Sequence, residues 1–123
     1  VTQRILIAED DEVNQNILMR QLKRFGYSAD LAEDGSKALA LWKEQAYDLV
    51  ITDLHMPNMD GYDLCKAIRE LEKTDNRPRT AVVMLTANAF GEAQNDIQAS
   101  GIDDFLTKPL RLPEIKQALE KWL

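Results

Sequence analysis

A chain of 123 residues with 45% hydrophobic and 29% charged side chains has the size for one hydrophobic core and the make-up of an ordinary globular domain. Fifteen Lys and Arg against twenty-one Asp and Glu leave a net charge of −6, which disfavours nonspecific nucleic-acid binding. No apolar stretch nears the roughly 20 residues of a membrane span, and no signal-peptide pattern opens the chain. The single Cys65 excludes an internal disulfide and fits a reducing compartment. The cytoplasm is therefore the expected location, with no membrane contact by this domain. A start on Val1, almost directly followed by a strand, is what a domain cut from a longer protein would show, and residues 1–123 read as one such domain.

Short β-rich runs alternate with helical patterns along the chain, the signature of a parallel sheet wrapped by helices. The first strand is expected at Arg4 to Ala8. A helix from Glu12 to Phe25 follows, with Val13, Ile17, Leu18, Leu22 and Phe25 on one face and Gly26 ending it. A shorter strand near Ser28 to Leu31 leads to a helix bearing Ala38, Leu39, Leu41 and Trp42. The apolar run Leu49-Val50-Ile51-Thr52 then gives a central strand that stops at Asp53. Breakers crowd the turn from His55 to Gly61, and a third helix carries Leu64, Ile68 and Leu71. Polar Glu72 to Arg79 reads as a loop, Thr80 to Leu85 as the fourth strand, and Ala89 to Ser100 as a weakly patterned helix closed by Gly101. Asp104 to Thr107 is the fifth strand. The last helix opens near Pro113 and aligns Ile115, Leu119 and Trp122.

Three acids stand where strands should end: Glu9 and Asp10 after Ile5-Leu6-Ile7-Ala8, and Asp53 after the central run. In an open parallel sheet ligands bind at the carboxyl ends of the strands, so these carboxylates would meet in one site. Crowded negative charges drive one another towards the protonated form unless a cation neutralises them. All-oxygen ligation by a few carboxylates suits Mg²⁺, which keeps several waters and commonly also holds phosphate. The residues thus point to a metal-dependent phosphoryl site.

Five features sit in order at these strand ends: Glu9-Asp10, Asp53, the pairs Met56-Pro57 and Asp60-Gly61, Thr86 within Met84-Leu85-Thr86-Ala87, and Lys108-Pro109. With them the chain resembles, over essentially its whole length, the receiver domains of two-component response regulators and hybrid histidine kinases. The resemblance implies a flavodoxin-like (βα)5 fold, a five-stranded parallel sheet of order 2-1-3-4-5 with helices on both faces. It implies that Asp53 is the phosphoacceptor, taking a phosphoryl group from a histidine of a kinase or phosphotransfer partner. Mg²⁺ or Mn²⁺ would be held by Glu9, Asp10, Asp53 and the backbone carbonyl of His55. Thr86 and Lys108 would stabilise the transferred group, and Lys108-Pro109 would be a cis peptide bond, which X-Pro bonds allow. Thr86 and Phe105 would form the switch, with Phe105 filling space that the Thr86 hydroxyl vacates. The readout face would be the fourth helix, fifth strand and fifth helix. On this view the domain catalyses its own phosphorylation and dephosphorylation.

Other readings stand beside these. Asp11 is the natural cap of the first helix rather than a ligand. His55 has three open roles: a solvent-facing bystander, a tuner of acyl-phosphate hydrolysis, or an imidazole ligand, although it lacks the cluster a transition-metal site needs. Cys65, Trp42 and Trp122 read as packing residues. The string from Glu9 to Gln15 and the turn from Met56 to Gly61 are most similar to receivers of hybrid sensor kinases, which would relay the group to a histidine phosphotransfer domain. The alternative is the receiver of a response regulator, DNA-binding or stand-alone. A haloacid-dehalogenase-type phosphatase would need an aspartate where His55 stands, and a nucleotide or flavin binder would need the glycine-rich turn this chain lacks.

Overall fold

The computed structural model describes residues 4–86, 101–107 and 112–123. Within them, strands and helices alternate as β1 (Ile5–Ala8), α1 (Glu12–Arg24), β2 (Ala29–Ala32), α2 (Gly35–Glu44), β3 (Leu49–Asp53), α3 (Gly61–Thr74), β4 (Ala81–Thr86), β5 (Asp104–Thr107) and a C-terminal helix (Leu112–Trp122). Every described strand pairing is parallel, and the sheet order is β2-β1-β3-β4-β5, as expected. The helix expected over Ala89 to Ser100 lies outside the described residues.

Buried alternation builds two cores from one sheet. Leu6, Ala8, Val50 and Val82 face Ala38 and Trp42 of α2 and Leu64, Cys65 and Ile68 of α3. Their neighbours Ile5, Ile7, Leu49, Ile51, Val83 and Leu85 face Leu18 and Leu22 of α1 and Ile115 and Leu119 of the C-terminal helix. Period-two side chains on strands covered on both sides have this consequence: each strand is apolar throughout. Fully burying each large aliphatic side chain is worth about 1.5–3 kcal/mol, so the sheet is the main source of stability.

Local signals set the helix ends. Asp11, Asp34 and Asp60 are extended residues whose carboxylates accept backbone N–H groups of Val13, Lys37 and Asp63. Each satisfies a donor that a helix start leaves orphaned. Gly26 sits at φ +87°, and the N–H groups of Gly26 and Tyr27 close on the carbonyls of Lys23 and Leu22.

Three expectations need correction. Val13 and Ile17 are 64% and 41% exposed, so the buried face of α1 is carried by Leu18 and Leu22, with Phe25 half-buried. The third helix runs to Thr74, and Glu72 is buried within it rather than exposed on a loop. Arg69 and the Thr80 N–H supply the charge and hydrogen bonds that let Glu72 stay there. Finally, β2 and β4 each lie one residue later than expected, a shift within the usual uncertainty of element ends.

Candidate functional site

The ends of β1 and β3 lie side by side, with Ala8 opposite Thr52. One step further along each strand are Glu9 and Asp53. Glu9 is fully buried and is held from three sides: its N–H donates to the Ala32 carbonyl at 3.0 Å, its Oε1 accepts the Asp11 N–H at 3.1 Å, and its carbonyl accepts the Gln15 side-chain amide at 2.7 Å. Asp53 is buried and Asp10 exposed. One oxygen from each of Glu9, Asp10 and Asp53 falls within 4.8 Å of the others. Among the described residues this is the group of acids, histidines and cysteines whose ligand atoms converge. Hard oxygen donors at this spacing match a hard divalent cation such as Mg²⁺ or Mn²⁺, so the residues fit the ion the sequence implies.

Asp11 turns away from that group, because its carboxylate caps α1 through the Val13 N–H at 3.0 Å. The side chain of His55 is exposed and is not part of the converging set. Thr86, the last residue of β4, is buried and stands one position past Leu85, the partner of Asp53 in the β3–β4 pairing. Phe105 pairs with Met84 across β4 and β5 and is half-buried. Lys108 and Pro109 lie outside the described residues.

Two glycines shape the loop after Asp53. A Cβ on Gly61 would lie 2.5 Å from the Asp53 carbonyl oxygen and 2.6 Å from Met84 Sδ. Only a residue without a side chain lets α3 begin that close to the strand end. A Cβ on Gly35 would collide with the Met59 carbonyl oxygen, whose hydrogen bond with the Gly35 N–H is 3.2 Å long. The loop crest, Asn58, has φ 69° and donates its side-chain amide to Asp34 Oδ2 at 3.1 Å. The N–H of Lys37 at the start of α2 holds the Asp34 carboxyl below the usual carboxylate range, with help from Asn58 and against the effect of burial. Sequence reasoning missed Asp34 and Asn58; the Asp-Gly pair that opens α2 signals a cap but not its distant partner.

The chain matches the family described as response regulator receiver domain over residues 5–120. It belongs to that family. The receiver domain is 41% identical over 115 residues to the sensor histidine kinase RcsC of Salmonella typhi, covering 94% of this chain and 12% of RcsC. It is 34% identical, with a TM-score of 0.88, to the receiver domain of a Pseudomonas aeruginosa sensor histidine kinase solved with a magnesium ion coordinated in its active-site cleft; the match covers 99% and 98% of the two chains. With the receiver domain of the Saccharomyces cerevisiae response regulator Ssk1, solved with the histidine phosphotransfer protein Ypd1, it shares 31% identity and a TM-score of 0.87 over 98% of this chain and 88% of that one. The receiver spans only 7% and 12% of the length of the first curated relatives it matches, a hybrid histidine kinase of Dictyostelium discoideum and RcsC. Membership removes the phosphatase and flavin-binding alternatives.

Proposed function

We propose that this receiver takes a phosphoryl group from a phosphohistidine onto Asp53 and relays it to a histidine phosphotransfer domain. The observation that carries the reading is the meeting of the Glu9, Asp10 and Asp53 carboxylates within 4.8 Å at the carboxyl ends of β1 and β3. A carboxylate oxygen of Asp53 attacks phosphorus, the phosphorus–nitrogen bond breaks, and its electron pair stays on the departing imidazole. Such a transfer needs chiefly in-line positioning and charge stabilisation on the phosphoryl oxygens. Mg²⁺, when bound by Glu9, Asp10, Asp53 and the His55 carbonyl, supplies neutralising charge for these oxygens. Thr86 would donate its hydroxyl to one of them, and the family resemblance assigns another to the ammonium of Lys108, which lies outside the described residues. Burial of Glu9 fixes one ligand before the ion arrives, while exposed Asp10 leaves the site open to a partner.

The partner's approach has a candidate surface. Val13, Ile17 and Leu31 are large apolar side chains left exposed on α1 and β2, and α1 begins directly after the acidic loop. A helical partner that covers Val13 and Ile17 brings its histidine to the adjacent pocket and buries apolar area as it does so. The relatives found in hybrid kinases favour the relay over a response regulator with its own output domain. No described helix is long and apolar enough to cross a membrane, and a cytoplasmic receiver in a longer kinase fits the reading. Thr86 and Phe105 complete it as the switch: a hydroxyl drawn to the new phosphate leaves room for the half-buried ring.

The test is incubation with Mg²⁺ and acetyl phosphate, followed by intact-mass measurement and peptide mapping. One hydroxylamine-labile adduct on Asp53 is expected, absent with chelator and absent from Asp53→Asn. Adduct formation at the normal rate in Asp53→Asn would overturn the assignment.

A further inference from the structure

We infer that Asp34, in the connection between β2 and α2, is a positioning residue for the loop that follows Asp53, and that through Asn58 it tunes divalent-cation affinity. The inference rests on the metal site proposed above. Residues 55–60 have no regular structure, and their ends are drawn together by the Gly61 N–H, which donates to the Leu54 carbonyl at 2.9 Å. That hydrogen bond fixes the base of the loop but not its crest. The crest is tied instead to the start of α2, by Asn58 Nδ2 on Asp34 Oδ2 at 3.1 Å and by the Gly35 N–H on the Met59 carbonyl at 3.2 Å.

The Asp34 carboxylate is buried and divides its two oxygens between two tasks. Oδ1 accepts the Lys37 N–H at 2.8 Å and starts α2, while Oδ2 accepts the amide of Asn58. A hydrogen bond to an ionised acceptor is stronger than one between neutral groups, so the tether is anchored on a group that the helix already holds rigid. Asn58 needs this anchor more than most residues, since at φ 69° it occupies a region asparagine tolerates without favouring. Three residues before it is His55, whose backbone carbonyl is the loop's expected contribution to the ion. Mg²⁺ demands near-ideal octahedral geometry and short ligand distances. A loosened crest makes ion binding order the loop as well, and affinity falls accordingly.

Two variants separate the tether from the cap. Asp34→Ser keeps a good helix cap but is too short to reach Asn58. Asn58→Gly keeps the positive φ and deletes the amide. Mg²⁺ affinity is measured by isothermal titration calorimetry, and the thermal midpoint is recorded with chelator. Each variant is expected to bind Mg²⁺ about three- to tenfold more weakly, the scale of one net hydrogen bond. The double variant should lose no more than the single ones, because both remove the same contact. Unchanged affinity in Asn58→Gly, or losses that multiply in the double variant, would overturn the inference. A wild-type protein that bound no Mg²⁺ would instead overturn the metal site itself. If Asp34→Ser fails to fold, the affinity of Asn58→Gly decides alone.

Discussion

Arg69 on α3 donates from Nη2 to Oδ2 of Asp103, 2.8 Å away, across 34 residues of sequence. The same guanidinium reaches the Gly101 carbonyl through Nε at 3.0 Å, and both Glu72 Oε1 and the Thr80 carbonyl through Nη1 at 2.8 Å. Asp103 in turn accepts the Val82 N–H at 2.9 Å. One cation thus joins α3, the start of β4 and the entry to β5.

Because Arg69 is mostly buried, its removal strips the buried Glu72 carboxylate of its ion-pair partner and leaves Asp103 with Arg79 alone. Arg69→Met is expected to destabilise the fold by about 3–5 kcal/mol in chemical denaturation. Arg69→Lys should recover only part of this, since an ammonium cannot reproduce the planar fork that meets four acceptors. Equal stability of wild type and Arg69→Met would show that the network contributes nothing net.

The exposed pair on α1 predicts a separation of partner recognition from chemistry. Val13→Asp places an acid in the first helical turn, which the helix dipole accepts, so stability should change by less than about 0.5 kcal/mol. Phosphorylation by acetyl phosphate should be unaffected. Transfer from a phosphohistidine protein should slow by about tenfold or more, the scale of losing one buried aliphatic contact. Equal slowing with both donors would move Val13 into the chemistry and away from docking.

Cys65 is fully buried between the sheet and α3, and burial pushes its thiol up to about 11. A folded pKa above the unfolded one means that the neutral thiol is favoured by the fold. That contribution is complete below the unfolded value near 8.5 and is lost as pH climbs towards 11. At pH 8 a disulfide-exchange reagent should therefore modify Cys65 only as fast as the domain unfolds, and at once in denaturant. Rapid modification of the folded domain would contradict this burial.

The alternation of strands and helices and the three acids at strand ends were legible because each depends on local pattern or on a rule of parallel sheets, whereas the sheet order came only with the resemblance to receiver domains. Asp11 as a cap was legible for the same reason, being decided within three residues. The face of α1 was only half legible. Periodicity marks a stripe, but Val13 and Ile17, one helical turn apart, lie on its exposed flank, and Leu18 and Leu22 do the packing. Glu72 was misread because polarity alone does not reveal a buried acid whose partners, Arg69 and the Thr80 N–H, make burial affordable. The Asp34–Asn58 contact spans 24 residues and follows from no local period. The expectations for Lys108, Pro109 and the helix over Ala89 to Ser100 concern residues outside those described.

The Arg69 network and the carboxylate pocket occupy opposite poles of the same sheet. Thr80 and Val82 serve the first, Thr86 borders the second, and the four steps of β4 from Val82 to Thr86 cover about 13 Å. At that separation substitution energies sum nearly independently. A designer can therefore harden this scaffold from its lower end and leave the upper end to signal at its native rate.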